Sequence, residues 1–366
     1  MKTLTHYNSH PFPPYLVDNS MTRRESKHLC REKIGGSGLR SAKQHSSAAY
    51  IASTTHTQTI VDSLLSPLIS RRSTTNAFTL LQQNTGNSTY TCPEILPPEF
   101  TQHSLSIEID NFSRNKLLND ADLRNKARLH SINLPHAGDW IDALPSPILN
   151  LTLDSRSFSA AMGFRLGLPL ITASDCRSPT CDQQQDPNGD HAMHCHDDRG
   201  IRISRHDRIR DRVFQEAQRA SLNPTKETPG LVPGTQSRPG DIGFENWIDG
   251  NKMAFDVSVV SPTQNAILHR AADLPGAAIE MRKSSENRTH FENCRSQGIL
   301  FKPLVVETFG GWDEEAVTYL KQLGRHSARR WGKKDSLEIK YFFQRLSVAL
   351  QRGNAALIID RDRESV

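Results

Sequence analysis

The chain contains no run of about eighteen or more apolar residues, so no stretch of it reads as a membrane-spanning helix. Its opening stretch, MKTLTHYNSHPFPP, lacks the apolar core of a signal peptide, and the expectation is a soluble intracellular protein with reduced cysteines and no membrane partner. Cysteine is scarce: six residues, at positions 30, 92, 176, 181, 195 and 294, are too few for a disulfide framework. Neither sign of charge dominates, and a net +5 suits a polyanionic partner without demanding one. At 36% hydrophobic content, the 366 residues can build one or two modest cores and are too apolar for a wholly disordered protein.

What is present changes character along the chain. Residues 1–100 are rich in Ser, Thr, Asn and His with short apolar patches, and read as a loosely ordered segment carrying one or two short helices. Residues 101–175 read as a helical region, with Phe158, Ala161, Met162, Arg165 and Leu166 near helical spacing. A polar loop over 176–198 precedes a helix in which Ile209, Val213, Phe214 and Ala217 share a face and which Pro224 closes. Further on, AAIEMRKSSENRTHFENC reads as a helix and ILFKPLVVET as a strand whose Pro303 suits an edge or a bulge. Two helices broken near GKKDS complete a unit over 199–352, leaving 353–366 as a tail.

Within that unit, RPGDIGFENWIDGNKMAFDVSVV sets Asp-Gly between two alternating apolar runs, the strongest short-range hairpin signal. With Asp249 and Gly250 as a two-residue turn, Asp241 opposes Ser258 and Asp256 opposes Gly243. Both carboxylates then lie on one face as diagonal neighbours, about 7–8 Å apart, while Ile242, Phe244, Met253, Phe255, Val257 and Val259 form the other. A three-residue loop would instead put the aspartates on opposite faces. On one face, they can hold a hard divalent cation such as Mg²⁺ or Mn²⁺, with water and substrate oxygens completing its shell.

The loop CRSPTCDQQQDPNGDHAMHCH offers Cys176, Cys181, His191 and Cys195, with His194 and His196 as substitutes for His191. Thiolates and imidazole in a closed set of four suit tetrahedral Zn²⁺ in a structural role. The following stretch, RGIRISRHDRIRDR, carries arginines 199, 202, 205, 208, 210 and 212, whose planar forks suit phosphate oxygens. Arg202, Arg205, His206 and Arg208 are the candidate nucleic-acid contacts. Glu216, near the end of this helix, either reaches the active face as a third acid or lies on the surface.

In their order, the Cys-Cys-His-Cys loop, RHD, RPGDI and FDVSVVSP resemble the restriction-like endonuclease region, of PD-(D/E)xK type, at the end of the reverse-transcriptase proteins of retrotransposons lacking long terminal repeats. FKPLVVETFGGW, HAGDWIDALPS, FRLGLPL and GGSGLRSAKQHSSAAYIAS extend the resemblance over roughly residues 34–352. It implies an α/β (α+β) fold, a small mixed sheet flanked by helices with a helical segment and zinc loop before it. It further implies DNA cleavage with Mg or Mn held by Asp241 and Asp256, nuclear residence, DNA or RNA as partner, and a separate reverse transcriptase. Ser258 stands where the family places its lysine, so Lys283 on the next helix is the candidate, with Lys302 and Lys252 behind it; the Pro-Asp pair is stretched to Pro239, Gly240, Asp241. No Tyr-x-Asp-Asp polymerase motif occurs, so the expected activity is not reverse transcription. The alternative is a catalytically inactive, zinc-containing nucleic-acid-binding remnant.

Overall fold

The computed structural model describes residues 41–64, 71–92, 95–96, 100–176, 178, 180–196, 200–226 and 240–362; residues 1–40, Arg199 and Pro239 lie outside them. The helices are α1 (Ala42–Leu64), α2 (Arg71–Thr85), α3 (Gln102–Asn119), α4 (Leu123–Ser131), α5 (Ser155–Leu166), α6 (Ile201–Arg219), α7 (Leu268–Asp273), α8 (Ala277–Arg295), α9 (Glu314–Arg330) and α10 (Asp335–Arg361). Among the described residues, helices predominate over six strands: β1 (Ser174–Asp175), β2 (Gln184–Gln185), β3 (Thr225–Lys226), β4 (Ile242–Phe244), β5 (Lys252–Val260) and β6 (Ile299–Glu307). Several helix starts are written in the sequence. Thr101, Asp122, Asp154 and Asp313 each accept the backbone N–H three residues on, satisfying a donor that the first turn of α3, α4, α5 or α9 leaves unpaired.

The main sheet is mixed, in the order β3-β4-β5-β6. β4 runs antiparallel to β5, with Ile242 opposite Phe255 and Phe244 opposite Met253. β6 runs parallel to β5 throughout, from Lys252 opposite Ile299 to Val260 opposite Glu307, its chain returning through α7 and α8. β6 is an edge strand, where Pro303, lacking an N–H, is tolerated.

Alternation along β5 decides what each face meets. Met253, Phe255 and Val257 join Ile242, Phe244, Leu304 and Val306 in the principal core, under Ile209 and Val213 of α6, Leu320 and Leu323 of α9, and Phe342, Phe343, Leu346 and Leu350 of α10. The opposite face packs under α7 and α8: Ala254 meets Cys294, while Val260 and Val305 meet Ala271, Ala277 and Ile279. The face carrying the acids is therefore roofed by a helix.

Two expectations need correction. Where residues 41–92 are described, they are not short loose helices: α1 has 23 residues and α2 has 15, and Ile51, Phe78 and Leu81 bury against Leu105 and Ile109 of α3. Nor does the unit end at residue 352. α10 continues to Arg361, with Asn354, Ala355, Leu357 and Ile358 buried. Gly353 is not a terminator; α10 crosses α6 there so closely that a Cβ would lie 2.5 Å from Cγ of Arg205.

Leu304→Ala, at a fully buried position, is expected to lower unfolding free energy by about 2–5 kcal/mol. Leu144→Ala, at a position 81% exposed, should change it by no more than about 0.5 kcal/mol; urea unfolding of both variants checks this core assignment.

Candidate functional site

The polar loop between α5 and α6 folds around its own cysteines. β1 and β2 pair Asp175 with Gln184, the Cys176 N–H donates to the Gln183 carbonyl at 3.2 Å, and the Cys181 N–H donates to the Ser178 carbonyl at 3.1 Å. A short 3-10 turn, His191–Met193, then brings in the remaining two donors. The ligand atoms of Cys176, Cys181, His191 and Cys195 lie within 4.8 Å of one another. Cys176 Sγ is 3.6 Å from Cys195 Sγ, and Cys181 Sγ is 3.7 Å from His191 Nε2. Those separations match the edge of a tetrahedron with metal–sulfur bonds of about 2.3 Å, so the group can hold a metal and is compatible with structural zinc. His191 Nδ1 faces Gln183 Oε1 at 3.2 Å; as the donor, it leaves Nε2 with the lone pair a metal needs. Burial, and then the charge of Arg361, lower His191 below the ordinary imidazole value against the pull of Asp186, and this favours the neutral ring that a metal needs. Of the substitutes, His194 faces Gln183 at 3.4 Å, and neither it nor His196 is in the ligand group.

The second cluster forms at the β4–β5 hairpin, where the two-residue turn is replaced by a longer one. The Gly250 N–H donates to the Trp247 carbonyl and the Trp247 N–H to the Asn251 carbonyl, both at 2.8 Å, enclosing Ile248, Asp249 and Gly250, with Gly250 at φ 86°. Outside this loop, Glu245 and Asn246 stand against Lys252 alone, a bulge that offsets the extra loop residue. The net register moves by two, so the diagonal pairing expected of the aspartates does not form. The ladder ends at the Ile242–Phe255 pair, and Asp241, just before β4, is held against β5 by the Val257 N–H. Gly240 is needed beside it, since a Cβ there would come within 2.9 Å of the Phe255 carbonyl.

Asp241 Oδ2 accepts the Val257 N–H at 2.7 Å and lies 3.0 Å from His206 Nε2. Burial disfavours a charged His206, but hydrogen bonding and charge from Asp241, then Asp207, outweigh it and raise its pKa to about 9. Asp256 moves the other way for a carboxyl: burial, then the charges of Asp241 and Glu286, push it up to about 8 against the pull of Arg282 and His206. Glu286 and Arg282, one turn apart on α8, reach Ser258 Oγ at 3.2 and 3.1 Å and pair with each other.

Lys283 points elsewhere, with Nζ 2.9 Å from Asp313 and 3.6 Å from Glu315. Lys302 is 2.7 Å from Glu315 and Lys252 is 2.6 Å from Glu245. None of the three expected lysines is brought to the aspartates. Glu216 is buried rather than on the surface, but its partners are Arg219 and Arg345, in an ionic cluster with Glu338. Among the proposed nucleic-acid contacts, Arg205 is 3% exposed and donates to Asn354 and the Met193 carbonyl, and Arg202 donates to the Cys195 carbonyl at 3.0 Å. Arg208 stays exposed. Glu286 and Arg282 are the site residues that sequence reading missed; the available signal was Ser258, two residues after Asp256 and therefore on the same face.

Cys181→Ser should abolish the roughly one zinc per chain expected by elemental analysis and lower the thermal midpoint, because ligand binding in such a loop is folding free energy. The Asp256 shift carries a sign. Folded Asp256 keeps its proton up to about pH 8, whereas in the unfolded chain its ordinary value is 3.8, so stability falls as pH rises between these values and the whole cost is present above about 8. Asp256→Asn should thus be more stable than the parent by on the order of a few kcal/mol at pH 9 without added Mg²⁺ or Mn²⁺, with the difference vanishing at pH 3; urea titrations at both pH values measure it. No family model matches this chain, and no curated protein matches it either.

Proposed function

We propose that the chain is a divalent-metal-dependent DNA endonuclease that hydrolyses phosphodiester bonds at Asp241 and Asp256. The observation that carries this reading is Asp241 held on the Val257 N–H beside Asp256, whose pKa burial and the charges of Asp241 and Glu286 push up to about 8. A pair that resists sharing two negative charges is relieved when a cation takes the proton's place. Bound there, Mg²⁺ or Mn²⁺ would lower the pKa of a water and offset charge on the departing oxygen.

The chain's own residues supply the rest. Val257 N–H and His206 fix the orientation of Asp241. Glu286 adds a third carboxylate, and Arg282, rather than a lysine, is the cation beside Ser258 that can hold a phosphate oxygen. The Cys176, Cys181, His191 and Cys195 group carries structural Zn²⁺ and pins the start of α6, from which His206 projects. Origin in a retrotransposon reverse-transcriptase protein, nuclear residence and a separate polymerase partner come with the same resemblance.

A second reading is a nucleic-acid-binding protein that cuts nothing. It is favoured by the engagement of Lys283, Lys302 and Lys252 with other acids and by Ser258 at the lysine position. Supercoiled plasmid incubated with the protein and Mg²⁺ or Mn²⁺ separates the two. Endonuclease activity predicts nicked circles that disappear when the metal is omitted and fall by at least about a hundredfold in Asp256→Ala, the scale on which loss of a key electrostatic group acts. Intact plasmid with folded, zinc-loaded protein would leave the binding reading.

A further inference from the structure

Helix α6 carries a second chemistry on the side away from the acids. Arg208 lies two residues beyond His206, about 200° around the helix, and Arg212 lies one turn further on. Together with Gln215, they line a cavity of about 570 Å³, closed by Ala349 and Arg352 of α10 and by Asn150, Thr152 and Asp154 of the connection into α5. The surroundings hold two of the three guanidinium groups in place. Arg352 donates to the carbonyls of Asn150 and Thr152 at 3.2 and 2.7 Å, and Arg212 donates to Gln215 Oε1 at 3.0 Å.

Both carboxylates in the lining are committed elsewhere. Asp154 caps α5, accepting from the Ser157 N–H and hydroxyl at 2.9 and 2.7 Å. Asp211 is held by Lys226 at 2.8 Å and Arg210 at 3.1 Å. Among the described residues, Arg208, Arg212 and Arg352 form no ion pair. Burial lowers Arg352 and Arg212 from the usual guanidinium value; Arg208 and Arg212 press further on Arg352, and Arg345 on Arg212, against a smaller opposing pull of Asp154 on Arg352 and of Asp211 on Arg212. Three like charges gathered in a polar hollow, with both lining carboxylates hydrogen-bonded to other groups, leave the position of an oxyanion open.

We infer that Arg208, Arg212 and Arg352 form a phosphate-binding cleft that holds the backbone of nucleic acid, separate from the carboxylate site. The assignment of nucleic acid as the source of the phosphate rests on the endonuclease reading; the oxyanion chemistry does not. The cleft also replaces the earlier contact set: of Arg202, Arg205, His206 and Arg208, only Arg208 lines it.

The test uses the full chain without added Mg²⁺ or Mn²⁺, so that binding is read apart from cutting. A fluorescein-labelled duplex of about twenty base pairs is titrated by anisotropy at several salt concentrations, against the parent protein, Arg208→Ala, Arg212→Ala and Arg352→Ala. Each variant should bind about tenfold more weakly and lower the slope of log affinity against log salt by about one, the signature of one lost phosphate contact. Arg208→Ala is the decisive variant, because Arg352 also braces a loop whose movement would confuse the reading. Unchanged duplex affinity and slope in Arg208→Ala and Arg212→Ala overturn the cleft. Arginine-dependent binding of inorganic phosphate measured by calorimetry, with no duplex binding, overturns nucleic acid as its occupant. Arginine-dependent duplex binding without plasmid nicking supports the cleft and removes the endonuclease reading; nicking with arginine-independent binding does the reverse.

Discussion

A guanidinium buried where two helices cross ties the separate parts of this molecule together. Arg205 of α6 lies under Gly353 of α10, donating to Asn354 Oδ1 at 2.8 Å and to the Met193 carbonyl at 3.3 Å, inside the Cys/His loop. Asn354 in turn donates through Nδ2 to the Thr308 carbonyl, just past the end of β6. One polar chain thus runs from the Cys/His loop through α6 and α10 to the main sheet. Buried groups of this kind stabilise only while every member is satisfied, and losing one strands the others without water to replace it. The small side chain at 353 and the long polar one at 205 are two halves of a single packing solution.

The carboxylate face shows the opposite economy. A fold optimised for stability alone would not roof Asp256 with a helix that adds Glu286 to the same space. The sheet tolerates this because its other face buries Phe255, Val257, Leu304 and Val306 against three helices, and because His206 and Arg282 supply positive charge at either side. Local destabilisation held in place by a large core elsewhere is the usual arrangement of a working site.

Much of this was legible in the sequence, and the failures have identifiable causes. Soft donors close together in a polar loop announced the Cys/His group, with His191 as the first-choice histidine, and the 3-10 turn places that residue among the cysteines. Asp249-Gly250 located the hairpin correctly. Its register depended on a loop residue and a bulge residue that together shift the pairing by two, so the diagonal pairing expected of the aspartates does not form. For α8, side chains one position apart point about 100° apart; whether residue 282 or 283 reaches β5 is set by how the helix is rotated on the sheet, which is a property of packing. The boundary drawn at residue 352 fell inside α10, where Gly353 serves close approach to another helix, a use visible only once α6 is in place.

The span of these contacts bears on how the protein is made. Arg361 donates to Cys176 Sγ from 185 residues further along the chain, and Arg205 reaches Asn354 across 149. A ribosome releases α6 and the cysteine loop long before it releases α10, so during synthesis the loop's thiols and the underside of α6 wait without their final cover. Assembly of this region is a late, non-local event. The interval before α10 docks is when the cysteines are open to oxidation, to the wrong metal or to a chaperone.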